Sequence, residues 1–271
     1  MSRALEAVYL REDLRGELTP EHLLDWGRDV SGEVVRAVPG RRTLRVSLGG
    51  RSFYLKYHEG VGVMEVAKNW LAFKRPVLGA GNEFDACRHL RACGMVAPDV
   101  AAFATEGGFP PARRSLLLTE ALDGYVDLER LSLRWNEQPP DPLVLRRLVE
   151  QVAAAARAMH GAGVAHRDFY VCHLLCPAAD PQGPLGVLDL HRALIFDEVP
   201  ERWRLKDLAA LLFSVLDLPL SRRAWLRFVR IYTGIPLRRA LAEQGDFWRR
   251  VHLRALKLHA KAVRKNLVRV S

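Results

Sequence analysis

One stretch constrains this chain more than any other: His166-Arg167-Asp168-Phe169-Tyr170-Val171-Cys172-His173-Leu174-Leu175. It follows a long run of helical period and precedes a short apolar strand, Leu185-Gly186-Val187-Leu188, which ends in Asp189-Leu190-His191. Such a chain needs a fold in which a loop after a helix and the end of a later strand meet. An Asp presented on that loop can accept a proton from an alcohol, and an Asp at the strand end can hold a divalent cation.

Size and charge set the bounds. At 271 residues the chain is long enough for two lobes and too short for several independent domains. The formal charge of +10 favours an anionic partner or substrate. No interleaving of aromatic and basic residues of the single-strand-binding type is present, so the reading is no nucleic acid. Four cysteines (Cys87, Cys93, Cys172, Cys176) are too few for a disulfide framework in a chain this long. Met1 to Leu24 is mixed and charged rather than a signal peptide. The longest apolar stretch, Leu208 to Leu216, is too short to span a bilayer, and a cytoplasmic protein is expected.

The opening segment, to about Val30, alternates helix and turn signals and carries no evident chemistry. Strand patterns follow: Glu33 to Val38, a Pro39-Gly40 turn, Thr43 to Leu48, a Gly49-Gly50 hairpin signal, and Arg51 to Tyr57. Lys56 falls late in the third of these; read alone it is an ordinary strand lysine. In the turn only Gly40 lets the backbone approach a phosphate. Arg41, Arg42 and Thr43 could add charge and donors, and a plain hairpin turn is the equal alternative. Val63 to Phe73 reads as a helix broken by Pro76, and Asn82 to Cys93 as a second, closed by Gly94. Glu83 lies in the first turn of the second helix, with Glu65 a reserve candidate for the same role. Ser115 to Thr119 is a buried-strand pattern that leads into Glu120-Ala121-Leu122-Asp123-Gly124.

Asp141-Pro142 starts a long helix, the Asp as cap and the Pro at the first position. Leu145, Leu148, Val149, Val152, Ala156 and Met159 keep its period, and Gly161 and Gly163 end it just before the loop. Trp203 to Leu216 reads as an apolar helix with Asp207 near its start. That acid is either a simple helix-start charge or a brace for the loop backbone. Phe247 to Val270 is helical and dense in Arg and Lys, with Trp248, Val251, Ala255, Leu258 and Ala262 on one face. Its basic face is either solvated or meets anionic headgroups.

Taken in order, Lys56 on a third strand, Glu83 on a helix, Asp168 on a loop and Asp189 after a strand resemble a protein-kinase-like phosphotransfer site. The resemblance implies an α+β bilobal fold. A small antiparallel-sheet lobe with a helix would take residues 1–121, and a larger, mainly helical lobe residues 122–271. Lys56 would hold nucleotide phosphates with Glu83 as its partner, and Glu120 and Leu122 would sit at the hinge where an adenine binds. Two departures from a protein kinase matter. His173 stands five residues after Asp168, where the second metal ligand is usually Asn. Either His173 binds the ion or Asp189 does most of that work. Only eighteen positions separate Asp189 from Asp207 and no Ala-Pro-Glu follows, which suits a small or carbohydrate acceptor better than a protein. A zinc site from Cys172, Cys176, His166 and His173 is the rival, weakened by the lack of a second Cys-x-x-Cys pair; His166 is better read as a brace.

The loop also resembles that of the lipopolysaccharide core heptose(I) kinase family (WaaP/RfaP). So do Pro39-Gly40-Arg41-Arg42-Thr43-Leu44-Arg45, Ala67-Lys68-Asn69, Pro76-Val77-Leu78-Gly79-Ala80, Val187-Leu188-Asp189-Leu190-His191-Arg192 and Lys206-Asp207-Leu208-Ala209-Ala210-Leu211. The similarity runs from about Gly32 to Lys261. It implies ATP- and Mg²⁺-dependent phosphorylation of the first inner-core heptose of heptosyl-Kdo-lipid A, at the cytoplasmic face of the Gram-negative inner membrane. Asp168 would be the base, Lys56, Glu83, Gly40 and Arg41 nucleotide-binding residues, and Asp189 with His173 the metal ligands. The alternatives are a kinase acting on Kdo, another core sugar or an antibiotic, and an inactive kinase-like module that binds lipopolysaccharide.

Overall fold

The computed structural model describes residues 5–59, 80–107, 113–181 and 183–265. The expected helix Val63 to Phe73, its stop at Pro76, Glu65, Ala67-Lys68-Asn69 and most of the Pro76 to Ala80 stretch lie outside the described residues. The chain divides into two units, Met1–His89 with Pro98–Asp123, and Leu90–Ala97 with Gly124–Ser271. The first is built on an antiparallel sheet and the second is mainly helical, the α+β arrangement expected.

Period-two burial makes the first unit. Its elements are β1 (Leu5–Leu10), α1 (Leu23–Asp29), β2 (Glu33–Val38), β3 (Arg41–Leu48), β4 (Arg51–His58), α2 (Gly81–Ala92), β5 (Val100–Glu106) and β6 (Arg114–Glu120). The strands form one antiparallel sheet in the order β1-β5-β6-β4-β3-β2. Leu44 and Val46 of β3 and Phe53, Leu55 and Tyr57 of β4 alternate into a core with Leu116 and Leu118 of β6. Each such side chain, fully buried, is worth about 1.5–3 kcal/mol. Leu10, Leu14, Leu18, Leu23 and Leu24 complete that core. The opening segment, read in sequence as turns and helix only, thus supplies an edge strand and a helix that cover the sheet. Gly27 of α1 lies so close to the sheet that a Cβ there would overlap the Leu116 side chain.

The second unit contains β7 (Tyr125–Asp127), α3 (Leu128–Ser132), α4 (Pro142–Gly161), β8 (Val164–Ala165), β9 (Leu174–Pro177), β10 (Gly186–Val187), β11 (Leu194–Ile195), α5 (Glu201–Phe213), α6 (Arg222–Thr233) and α7 (Leu237–Arg264). Asp141 caps α4 as expected, its Oδ1 accepting from the Leu143 and Val144 amides at 2.7 and 3.3 Å. α4 packs on α6, and α5 on α7. The terminal helix begins at Leu237 rather than Phe247 and bends at Gln244, where the backbone leaves helical geometry. Trp248, Val251, Ala255 and Ala262 are buried, so the predicted apolar face docks. Among the described residues no helix is long and apolar enough to cross a membrane.

Short strand pairs position the loop. β8 pairs with β11, and β9 with β10 and β7. α4 hands the chain to β8 through Gly163, at φ 79°, where a Cβ would strike the Phe196 carbonyl oxygen. The Phe196 amide donates to the Gly163 carbonyl at 2.8 Å. A left-handed L-residue costs about 1–2 kcal/mol before any clash. Gly163→Ala is therefore expected to lose at least about 2 kcal/mol in chemical denaturation. Gly161→Ala, in the last turn of α4 with open space around its Cβ, should leave stability level or slightly higher.

Candidate active site

In the first unit the strand period puts Lys56 on the face of β4 opposite Phe53, Leu55 and Tyr57. Its Nζ lies 2.6 Å from Oε1 of Glu83, whose side chain is 5% exposed against 16% for Lys56. Desolvating this pair costs energy that its short contact must offset. The positive end of α2 favours the carboxylate in its first turn. Phe84, next to Glu83, fixes the helix by stacking on Phe103 with ring centroids 4.3 Å apart.

Gly40 stands at the tip of the β2–β3 hairpin at φ 72°, a left-handed turn conformation that suits glycine. Its carbonyl accepts from the Glu59 amide at 2.9 Å. Arg41 opens β3, and its Nε is buried without a hydrogen-bond partner among the described residues. Arg42, offered in sequence beside Arg41 as a phosphate donor, is committed elsewhere. Its Nη2 donates to the carbonyls of Gly27, at 2.6 Å, and Arg28, at the end of α1. The Glu120 amide donates to the Asp99 carbonyl at 2.8 Å, and its carboxylate meets Arg11 at 2.7 Å. Leu122 is half-buried in the turn after β6.

In the second unit the structure brings Asp168, His173 and Asp189 together. Asp168 follows β8, Asp189 follows β10, and the Leu188 amide donates to the His173 carbonyl at 2.9 Å. His173 Nδ1 lies 2.7 Å from the Asp168 carbonyl oxygen. A carbonyl only accepts, so Nδ1 carries the proton and a neutral ring has its lone pair on Nε2. That Nε2 is 3.6 Å from Asp189 Oδ2. Asp189, itself in a left-handed conformation at φ 57°, accepts on Oδ1 from His191 Nδ1 at 2.8 Å. With the ring neutral, Nε2 and Asp189 Oδ2 stand about as far apart as neighbouring ligands on one cation.

Asp168 is not isolated. Arg192 Nη1 donates to both of its carboxylate oxygens, at 2.8 and 3.1 Å. The sequence alone assigns no role to Arg192 or His191; the available signal is their place three and two residues after Asp189. His166 is fully buried and donates from Nε2 to the Leu188 carbonyl at 2.8 Å. Burial holds its imidazole below the ordinary value and hence neutral. It stacks on His173, centroids 5.5 Å apart. Both facts suit a brace. The zinc alternative needs thiolates, whereas burial pushes the Cys172 thiol up to about 11 and the Cys176 thiol up as well.

Beneath the loop lies Asp207, fully buried. Its two oxygens accept from the His166 amide at 2.7 Å and the Arg167 amide at 2.8 Å, so it is a brace and not a simple helix-start charge. His160 Nε2 stands 3.3 Å from the same carboxylate, and His160 Nδ1 2.8 Å from the Tyr232 hydroxyl. Apart from these groups, an apolar cavity of about 330 Å³ opens among Leu145, Leu148 and Val149 of α4, Leu211 and Leu212 of α5, and Phe228 of α6. Removing the Asp207 carboxylate would strand two amides, each worth about 1–3 kcal/mol when buried unsatisfied. Asp207→Ala is expected to lose roughly 2–6 kcal/mol on denaturant unfolding; a loss below about 1 kcal/mol would show that the loop does not hang on it.

A model of the lipopolysaccharide kinase (Kdo/WaaP) family matches residues 26–232. The chain is 44% identical over 239 residues to the lipopolysaccharide core heptose(I) kinase WaaP of Pseudomonas aeruginosa, covering 87% of this chain and 89% of that one. It is 38% identical over 244 residues to the kinase of the same name from Escherichia coli K12, with coverage of 89% and 92%. A solved structure of WaaP in complex with acyl carrier protein is similar with a TM-score of 0.80 at 37% identity, over 93% of this chain and 99% of that chain. The heptose(I) kinase resemblance read from the loop therefore holds across the sequence, and this chain belongs to the lipopolysaccharide kinase (Kdo/WaaP) family.

Proposed function

We propose that this protein is a kinase that transfers the γ-phosphoryl group of ATP to a hydroxyl of the first inner-core heptose of lipopolysaccharide. The observation that carries the reading is the Asp168, His173 and Asp189 arrangement, found in a chain of this family. Asp168, aimed by Arg192, orients the heptose hydroxyl. It takes the proton as the new oxygen–phosphorus bond forms and the bond to ADP breaks. Lys56, held by Glu83, neutralises nucleotide phosphate charge, with Gly40 and Arg41 at the phosphates and Glu120 and Leu122 at the adenine. On this reading residues 1–121 carry the nucleotide lobe and 122–271 the acceptor lobe.

The donors fit a magnesium ion in the way such ions are usually held, by one or two protein groups plus substrate phosphates and water. Asp189 Oδ2 supplies the hard oxygen, with His173 Nε2 beside it. Bound there, the ion would neutralise the charge of the transferring phosphate. Intact Lys56, Asp168 and Asp189 argue against an inactive binding module. The exposed Arg249, Arg250, Lys257 and Lys261 of α7 suit peripheral contact with an anionic membrane surface. On this reading the reaction runs at the cytoplasmic side of the inner membrane. A partner reading attaches to the relative's acyl carrier protein. The apolar cavity between α4, α5 and α6 suits an aliphatic chain, and acyl carrier protein would be its bearer.

Labelled ATP with unphosphorylated heptosyl-Kdo-lipid A should yield product labelled on the heptose. Label on Kdo would move the assignment to that sugar. Asp168→Ala should lower turnover by ~10²–10⁴-fold while nucleotide binding persists; wild-type turnover would remove Asp168 as base. Lys56→Ala should raise the KM for ATP, and unchanged kinetics would take Lys56 out of the site. Filling the cavity with Leu148→Trp should weaken capture of acylated carrier protein and spare the apo form, whereas equal binding of both by wild type would remove the partner reading.

A further inference from the structure

Positive groups of the second unit converge on one indole. The Arg167 guanidinium carbon lies 5.1 Å from the centre of the Trp203 ring, Lys206 Nζ 4.1 Å and the Arg202 guanidinium carbon 5.6 Å. Burial lowers the Lys206 pKa, and the charges of Arg254, Arg167 and Arg202 lower it further against the raising effect of Asp207. α5 packs on α7, which carries Arg254 into the same field. Cation–π attraction to Trp203 offsets only part of this repulsion. The usual remedy is an interleaved carboxylate, yet among the described residues Arg202, Lys206 and Arg254 stand in no ion pair. Asp207, next to Lys206, is occupied by the loop amides, and Glu201, next to Arg202, pairs with Arg250.

The cluster is continuous with Asp168. Arg167 directly precedes it, held at φ 71°, a conformation arginine rarely adopts and one that the Asp207 brace enforces. Arg167 Nη1 donates to the Arg192 carbonyl at 3.3 Å, and Arg192 donates to the Asp168 carboxylate. A strained backbone thus sets one cation of the cluster beside the residue that addresses the acceptor hydroxyl.

We infer that Trp203, with Arg167, Arg202 and Lys206 around it and Arg254 on the helix packed against α5, forms a shelf that binds an acidic group of the sugar acceptor and thereby sets a neighbouring hydroxyl at Asp168. The inference rests on the proposed sugar-kinase function and names the residues that grip the acceptor. Guanidinium forks and an ammonium suit a carboxylate or a phosphate monoester equally. In heptosyl-Kdo-lipid A the first is a Kdo carboxylate and the second a lipid A phosphate.

The test uses the full chain with Arg202→Gln/Lys206→Met together and Arg254→Gln alone, the latter on a separate helix and solvent-exposed. Each is assayed with intact acceptor, with acceptor stripped of lipid A phosphates, and with acceptor esterified at the Kdo carboxyls. Binding of each acceptor without nucleotide is measured in parallel. The double variant should raise the acceptor KM and Kd about tenfold or more, with kcat and the KM for ATP little changed. On whichever modified acceptor lacks the recognised group, wild type and variant should converge, which separates carboxylate from phosphate. Unchanged acceptor KM and Kd, or a penalty that persists on both modified acceptors, overturns the shelf. If wild type transfers no phosphate but still binds the acceptor in a shelf-dependent way, the proposed function fails and the shelf stands. Transfer with shelf-independent KM and Kd has the opposite meaning.

Discussion

The second unit depends on one buried carboxylate. Asp207 sits without solvent beneath the loop and satisfies two successive backbone amides, those of His166 and Arg167. A carboxylate is the only common side chain that accepts two such bonds at once with the strength that charge adds. The amides in turn repay the desolvation of the acid, so neither would be stable there alone. His160 and Tyr232 extend the network into α4 and α6, tying the loop to two core helices. The backbone is held so firmly that Arg167 remains left-handed, and Asp168 emerges in one direction.

From that fixed point the rest of the loop follows by hydrogen bonds of defined polarity. His173 must donate to the Asp168 carbonyl, which fixes a proton on Nδ1 and sets Nε2 toward Asp189. His166 must donate to Leu188, which ties the loop to the strand that carries Asp189. Two histidines stacked face to face therefore join two acids that lie twenty-one residues apart in sequence. No part of this requires a long strand; pairs of two to four residues suffice because the side chains complete the register.

Much was legible in the chain because the relevant signals are local. The strand pattern from Arg51 to Tyr57 carries Lys56 late in its run, and the structure pairs it with Glu83. Asp141-Pro142 and the glycines after Met159 bound α4 at both ends, since capping and left-handed turns are properties of a few adjacent residues. What escaped was nonlocal. β1 has no clean alternation, and it becomes a strand by pairing with β5, nearly a hundred residues on. α6 packs on α4, and its Trp225, Phe228 and Tyr232 meet Trp248 of α7, partners far off in sequence. Arg42 read as a phosphate donor because nothing nearby in sequence announces the α1 carbonyls that occupy it.

By itself the sequence determined which side chains carry charge, their order, and the elements that present them, because periodicity, caps and turn residues act over a few positions. It left open whether Asp207 was a cap or a brace, which nitrogen of His173 was free, and whether Arg192 or Trp203 mattered at all. Only the tertiary structure decided these. Each depends on a partner brought near by chain reversal, and the low polarity of the interior then makes a hydrogen bond to that partner obligatory rather than optional.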